Sequence, residues 1–323
     1  MVGATAVPFG SVNTNYVLDT TGGKVVLRID EVKGELDTKR ELDLLAYLRR
    51  EDFPCPEALL DRKGRNYRMV RGKGLSVYRH IAGTQPAALS LSLAQLEDTG
   101  RALAELHGVG RGYKKGIDNR FSFERLAQTY RQVRPVLPAY FKKVVRALDD
   151  ELIFLREYLE PKLPRGIIHG DLFEGNLIFD GDRVVGVLDF EAAGRGKFVF
   201  DLATAVNALA YVPGSGPGTG WNIPRFEAIL AGYENLRPMA LAEWDAFPNE
   251  LRFSSLRFTV TRLRDFTLRP ASAQTRVDKD WSEFYERLQV LRRDREGGME
   301  RLLMALATGY DYRKYQRGRT ADK

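Results

Sequence analysis

One stretch limits what this chain can fold into more than any other, residues 166–190. Asp171 is followed by four residues and then by Asn176. The next residues alternate and then turn: Leu177-Ile178-Phe179, a turn at Asp180-Gly181-Asp182, and a return through Arg183 to Leu188. An Asp-Gly pair between two apolar runs predicts a β-hairpin. With the turn centred on Asp180-Gly181, the returning strand carries Asp189 past Asn176, level with the loop that bears Asp171. Three oxygen-bearing side chains then share one small volume. Mg²⁺ takes hard oxygen ligands and completes its shell with substrate phosphates, so Asn176 and Asp189 suffice as its side-chain ligands. The pattern points to phosphoryl transfer.

Asp and Asn in short loops are most often turn formers, and a hairpin by itself needs no chemistry. What lifts the stretch above that reading is its context: an apolar run into His169-Gly170-Asp171 at one end and Asp189-Phe190 at the other. The same Asp-to-Asn spacing occurs in the catalytic loop of protein kinases, where the Asp takes the proton of the attacking hydroxyl and the Asn holds metal. Transfer to a hydroxyl needs one base, and Asp171 is better placed for it than His169. His169 is expected to be a buried support of the loop.

The rest of the chain can be fitted around this loop. Residues 10–31 read as strand, turn and strand, turning at Thr21-Gly22-Gly23. The loop before the first strand holds a single glycine, so Ser11, Asn13 and Thr14 are its candidate donors to nucleotide phosphates. Arg28 lies on the second strand, and its planar fork suits phosphate oxygens. Its carboxylate partner is expected on the next helix, at Glu41 or, within one turn, at Asp43. Phe53-Pro54-Cys55-Pro56 ends that helix. Ala58–Leu60 and Asn66–Val70 read as strands, and Leu75–Ile81 as a connector. From Ala94 on, the pattern is helical: one helix ends near His107, which reads as a packing residue. Further helices follow over 122–160, broken at Pro135 and Pro138, then from Asp201 to Ala210, and on to about residue 310. The turn-rich run 213–220 reads as a linker or a lid, and the basic tail from Tyr312 as poorly ordered.

Composition removes several classes of function. The 323 residues carry one cysteine and three histidines, too few for a disulfide or a zinc cluster. No apolar run is long enough to span a membrane and no secretory signal opens the chain, so a cytoplasmic protein without a membrane partner is expected. The net charge of +7 is spread along the chain and interleaved with acids, and no aromatic-basic stripe accompanies it. Attraction of anionic ATP explains it better than a nucleic-acid partner. Oligomeric state leaves no mark on the sequence.

His169-Gly170-Asp171-Leu172-Phe173 with Asn176, then Asp189-Phe190, then Phe200-Asp201-Leu202-Ala203, resembles the aminoglycoside phosphotransferase and choline kinase superfamily. Within it the likeness is greatest to the kinase-like type of bacterial homoserine kinase. That likeness extends to Asn13–Tyr16, Val26–Glu31, Phe53–Pro56, Arg71–Lys73, Ile81–Gly83, Leu251-Arg252, Arg257-Phe258 and Arg262-Leu263. The resemblance implies an α+β, two-lobed protein-kinase-like fold: residues 1–82 as a small antiparallel ATP-binding lobe with one helix, residues 83–323 as a larger, mainly helical lobe. It also implies ATP and Mg²⁺ as cofactors and a small amino alcohol as substrate. Asp171 is then the base, Ser11, Asn13, Arg28 and Glu41 serve the nucleotide, and Asp201 bonds the catalytic-loop backbone. A homoserine acceptor needs a cation for its carboxylate, for which Arg257 and Arg262 match the pattern. Glu191 stands where many homoserine kinases have an aromatic and is similar to choline kinases, whose acceptor is cationic. Choline, an aminoglycoside or another amino alcohol is therefore the alternative within the fold. A catalytically silent nucleotide-binding protein is the alternative outside it, opposed by the joint presence of Asp171, Asn176 and Asp189.

Overall fold

The computed structural model describes residues 3–7, 13–87, 89–215, 220–268, 279–293 and 299. Two lobes are built from different periodicities. In the first, β1 (Gly3–Ala6), β2 (Thr14–Thr20), β3 (Gly23–Asp30), β4 (Arg68–Val70) and β5 (Lys73–Arg79) form an antiparallel sheet in the order β1-β2-β3-β5-β4. The expected β2–β3 hairpin closes with Thr20 opposite Gly23. β1 had no sequence signal; Gly-Ala-Thr-Ala is held as a strand by its pairing to β2. Two expectations need correcting. Ala58–Leu60 contributes only an isolated bridge from Ala58 to Tyr78, and Leu75–Arg79 is sheet rather than connector. Its alternating burial, with Ser76 and Tyr78 inward, is what a strand with one covered face requires.

The covering element is α1 (Glu35–Arg50), which buries Leu42, Leu44, Leu45 and Leu48 and stops just before Phe53-Pro54. The second lobe opens with α2 (Leu93–Gly110), whose start is fixed by a capping box between Ser92 and Gln95. α3 (Phe123–Val133) and α4 (Lys142–Tyr158) are separated by two short 3-10 turns at Pro135 and Pro138. Then come β6 (Arg165–Ile168), β7 (Leu177–Asp180), β8 (Arg183–Val187) and β9 (Gly194–Lys197). β7 and β8 form the expected hairpin, and β6 pairs antiparallel with β9. The turn proves one residue later than expected, with Gly181-Asp182 between the paired Asp180 and Arg183. α5 (Phe198–Leu209), α6 (Ile223–Leu236), α7 (Leu241–Arg262) and α8 (Ser282–Arg293) complete the described chain. Residues 216–219 of the turn-rich run and the tail from Tyr312 lie outside the described residues.

Glycine lets α2 and α6 touch backbone to backbone. A methyl group on Gly100 would stand 2.0 Å from the Ile229 carbonyl oxygen, and one on Gly232 1.7 Å from that of Glu97. A continuous core runs from Leu44, Leu48 and Phe53 through Leu103 and Leu106 to Val206 and Leu230, so α1 is packed onto the helical lobe as well as onto its own sheet. The Val187 N–H donates to the Pro54 carbonyl at 2.8 Å, and the Phe53 and Phe190 rings meet edge to face. These contacts hold the hairpin against the first lobe. Among the described residues no helix is long and apolar enough to cross a membrane.

Candidate active site

The loop after β6 is held from beneath. The Asp201 carboxylate, at the start of α5 and fully buried, accepts the backbone N–H of His169 on one oxygen and of Gly170 on the other, each at 2.7 Å. His107 adds a third hydrogen bond to Asp201, 3.1 Å from Nε2, while its Nδ1 lies 2.6 Å from the Tyr233 hydroxyl. Burial pushes the His107 pKa down, so the ring is neutral at neutral pH. Burial works against the Asp201 charge, yet these hydrogen bonds and His107 keep its pKa below the usual value. His169 supports the loop from within. Its Nδ1 accepts the Asp171 N–H at 3.2 Å, and its Nε2 lies 2.7 Å from the Leu188 carbonyl, to which it donates. Gly170 takes a φ of 76°, and a methyl group there would also stand 3.0 Å from the Ala192 carbonyl oxygen.

The hairpin then does what the spacing predicts. The Leu188 N–H donates to the Asn176 carbonyl at 2.8 Å, so the returning strand arrives beside the loop. The Asn176 side-chain N–H donates to the Asp171 carbonyl at 2.7 Å. Its amide oxygen is thereby the atom left for an external ligand. Asp189 sits in the left-handed region at φ 60°, ψ 68°, an uncommon and costly conformation for a residue with a side chain. Its Oδ1 is sealed from solvent, without a hydrogen-bond partner among the described residues. Burial, reinforced by the Glu191 carboxylate, raises its pKa to about 7. A strained residue with an orphaned carboxylate oxygen beside a free amide oxygen fits a divalent cation that draws its remaining ligands from phosphate.

Opposite this pair stands a cluster of charges on the first lobe. Arg28 donates to both Glu41 oxygens, at 2.8 and 3.3 Å, and through Nε to Asp30 at 3.0 Å. Burial alone would favour loss of the Arg28 charge, but Glu41 above all holds its pKa higher than usual. Glu41, not Asp43, is therefore the partner; Asp43 pairs with Lys39 and Lys115 near the surface. Lys33 was not anticipated. It is buried, with Nζ 2.5 Å from Glu41 and 3.1 Å from Glu191, and no sequence motif marks it. Only its position three residues past the end of β3, facing α1, brings it there.

The remaining expected residues divide. Asn13 donates to the Glu191 carboxylate at 3.1 Å, tying the loop before β2 to the hairpin's exit. Ser11 lies outside the described residues. Glu191, read from sequence as an acceptor contact, is engaged by Lys33, Asn13 and Arg28 of the first lobe. Arg257 is buried, 3.1 Å from Asp171 Oδ1, with its guanidinium 3.8 Å from the centres of both the Phe121 and Phe258 rings. Arg262, five residues on, leaves that side of α7 and bonds the Glu283 carboxylate and the Asp280 carbonyl at 2.7 and 2.6 Å.

Residues 3–241 match the phosphotransferase enzyme family. The homoserine kinase of Methylobacillus flagellatus is 32% identical over 280 residues, 86% of this chain and 84% of that protein. The homoserine kinase of Methylobacterium radiotolerans is 31% identical over 288 residues, 89% of this chain and 88% of its own. Among solved structures, an amicoumacin kinase in complex with AMP-PNP and Ca²⁺ superposes with a TM-score of 0.69 at 16% identity, covering 90% of this chain and 86% of that one. A microcompartment-associated aminopropanol kinase reaches 0.67 at 19% identity, covering 94% of each chain.

Proposed function

The chain belongs to the phosphotransferase enzyme family, and from that premise we propose that it transfers the γ-phosphoryl group of ATP to the side-chain hydroxyl of homoserine. It is a kinase that acts on an alcohol and uses a nucleotide with a divalent metal. The observation that carries the mechanism is the meeting, at one loop, of Asp171 with the free oxygens of Asn176 and Asp189. The choice of homoserine rests on the relatives of that name, which align over more than four-fifths of their length.

Asp171 orients the acceptor hydroxyl and takes its proton as the oxygen bonds to the γ-phosphorus and the bond to the β-phosphate oxygen breaks, releasing ADP. The hydrogen bond from Arg257 holds the carboxylate in place. Asn176 and Asp189 are the residues to hold Mg²⁺, which when bound neutralises charge on the phosphate oxygens. Arg28 and Lys33 present fixed cations to the nucleotide phosphates, and Glu41 aligns both. Asn13 closes the nucleotide side through Glu191.

Purified protein assayed with ATP and Mg²⁺ against homoserine, choline, ethanolamine and an aminoglycoside tests the reading. Turnover of homoserine with ADP release is expected. Ready phosphorylation of choline or an aminoglycoside, with homoserine ignored, would replace the acceptor while leaving the transfer mechanism in place.

A further inference from the structure

Three arginines gather on one pair of stacked rings, Phe258 of α7 and Phe284 of α8, whose centres are 4.5 Å apart. Their partners are unequal. Arg257 lies over Phe258 and is bonded to Asp171; Arg262 lies over Phe284 and is bonded to Glu283. Arg287 of α8 stacks 4.0 Å over Phe284 and 4.6 Å over Tyr211, and is only 9% exposed. Its Nε and Nη1 are sealed from solvent, and neither has a hydrogen-bond partner among the described residues. Two carboxylates act on it only at range. Glu283 is bonded to Arg262, and Glu174 accepts the Leu89 N–H. Burial lowers the Arg287 pKa to about 10, which leaves it charged at neutral pH. A buried cation with two idle donors is strongly unfavourable unless an anion completes it.

The rings also place this cation with respect to the reacting group. Phe173, two residues after Asp171, packs edge-on against both Phe258 and Phe284, at 5.1 and 6.0 Å. Glu174, the next residue of the catalytic loop, is one of the carboxylates that sustain the Arg287 charge. Arg287 therefore lies over a ring, Phe284, that Phe173 of the catalytic loop meets edge-on.

We infer that Arg287 is the specificity-determining residue that receives the carboxylate of a hydroxylated amino-acid acceptor whose alcohol lies at Asp171. The inference rests on the acceptor class proposed above. A guanidinium fork offers a carboxylate two parallel hydrogen bonds, and here the flanking Tyr211 and Phe284 rings exclude the water that would weaken them. Arg257 and Arg262, the arginines singled out by sequence, already have carboxylate partners. An acceptor bearing only positive charge meets an uncompensated cation at this position and is rejected.

The test uses acceptors in pairs that differ by a carboxylate: homoserine against 3-aminopropan-1-ol, and serine against ethanolamine. In Arg287→Gln, kcat/KM for the carboxylate-bearing member is expected to fall relative to its partner by about 10- to 150-fold, the range for losing a hydrogen bond to a charged group. Most of the loss should be in KM, with KM for ATP unchanged. Arg287→Lys keeps the charge without the fork and should fall between, and it serves alone if the Gln variant does not fold. Equal losses on both members of a pair, or none, would overturn the inference and leave homoserine phosphorylation standing. A selective loss on another carboxylate-bearing acceptor, with homoserine unused, would sustain Arg287 and remove homoserine. Exclusive use of acceptors without a carboxylate would overturn both.

Discussion

Asp201→Asn tests whether the catalytic loop is positioned from beneath. The carboxylate takes three hydrogen bonds with two oxygens: Gly170 N–H on Oδ1 at 2.7 Å, and His169 N–H at 2.7 Å with His107 Nε2 at 3.1 Å on Oδ2. An amide of the same size has one acceptor and one donor group. With its oxygen toward His169 and His107, its NH₂ faces the Gly170 N–H; flipped, the NH₂ faces two donors. At least one bond to a charged group is lost and one buried N–H is left unsatisfied, a cost of about 3–5 kcal/mol. That is a large share of the roughly 5–15 kcal/mol that holds a domain together. The orphaned N–H belongs to the residue before Asp171, so the base shifts with it, and displacement of about 1 Å lowers turnover by about 10²-fold. Urea denaturation and steady-state kinetics should show both losses, with KM for ATP little changed. Tyr233→Phe acts one partner further out, through His107, and should lower kcat less. If Asp201→Asn keeps kcat within twofold of the parent at unchanged stability, the loop is positioned by something else.

Three further outcomes are expected. Asp171→Asn should lower kcat by about 10²- to 10⁴-fold with nucleotide affinity retained, the usual worth of a positioned general base, and a change of a few-fold in rapid-quench turnover would remove that role. Asp189→Ala should abolish transfer at ordinary Mg²⁺ concentrations, because the cation loses its charged protein ligand; a Mg²⁺ titration superimposable on the parent's would contradict the site. Burial raises the Glu234 carboxyl to about 7, above its ordinary 4.5, so the folded chain holds this proton more tightly than the unfolded one. The resulting stabilisation is present below pH 4.5 and fades as pH rises through 7, by about 1–3 kcal/mol. Glu234→Gln should therefore gain stability over the parent at pH 8 and not at pH 4.5, and a pH-independent difference in urea midpoint would count against it.

Local chemistry made the catalytic hairpin legible without a structure. An Asp-Gly pair between alternating apolar residues has one favoured solution, a tight turn, and a tight turn fixes which residues come level. Asp171, Asn176 and Asp189 could thus be brought together by counting along the chain. The Arg28–Glu41 pair was open to reading for a similar reason, since one strand and one helix of definite period leave few partners in reach, although Asp43 stayed open until the helix was rotated into place. Alternation alone could not say whether Leu75–Arg79 belonged to the sheet or bridged the lobes, because that depends on a partner strand far away in sequence. The same limit hid Lys33, whose place is set by α1 folding over the end of β3, and the surroundings of Glu191, whose neighbours Asn13 and Lys33 lie on the other lobe. Arg287 is the extreme case. In sequence it is one basic residue among several on a polar helix; only the packing of α8 onto Phe258 and Tyr211 strips it of solvent while no carboxylate among the described residues bonds it. Chain periodicity determines elements and near neighbours, whereas the environment of a charge is a property of the elements that close around it.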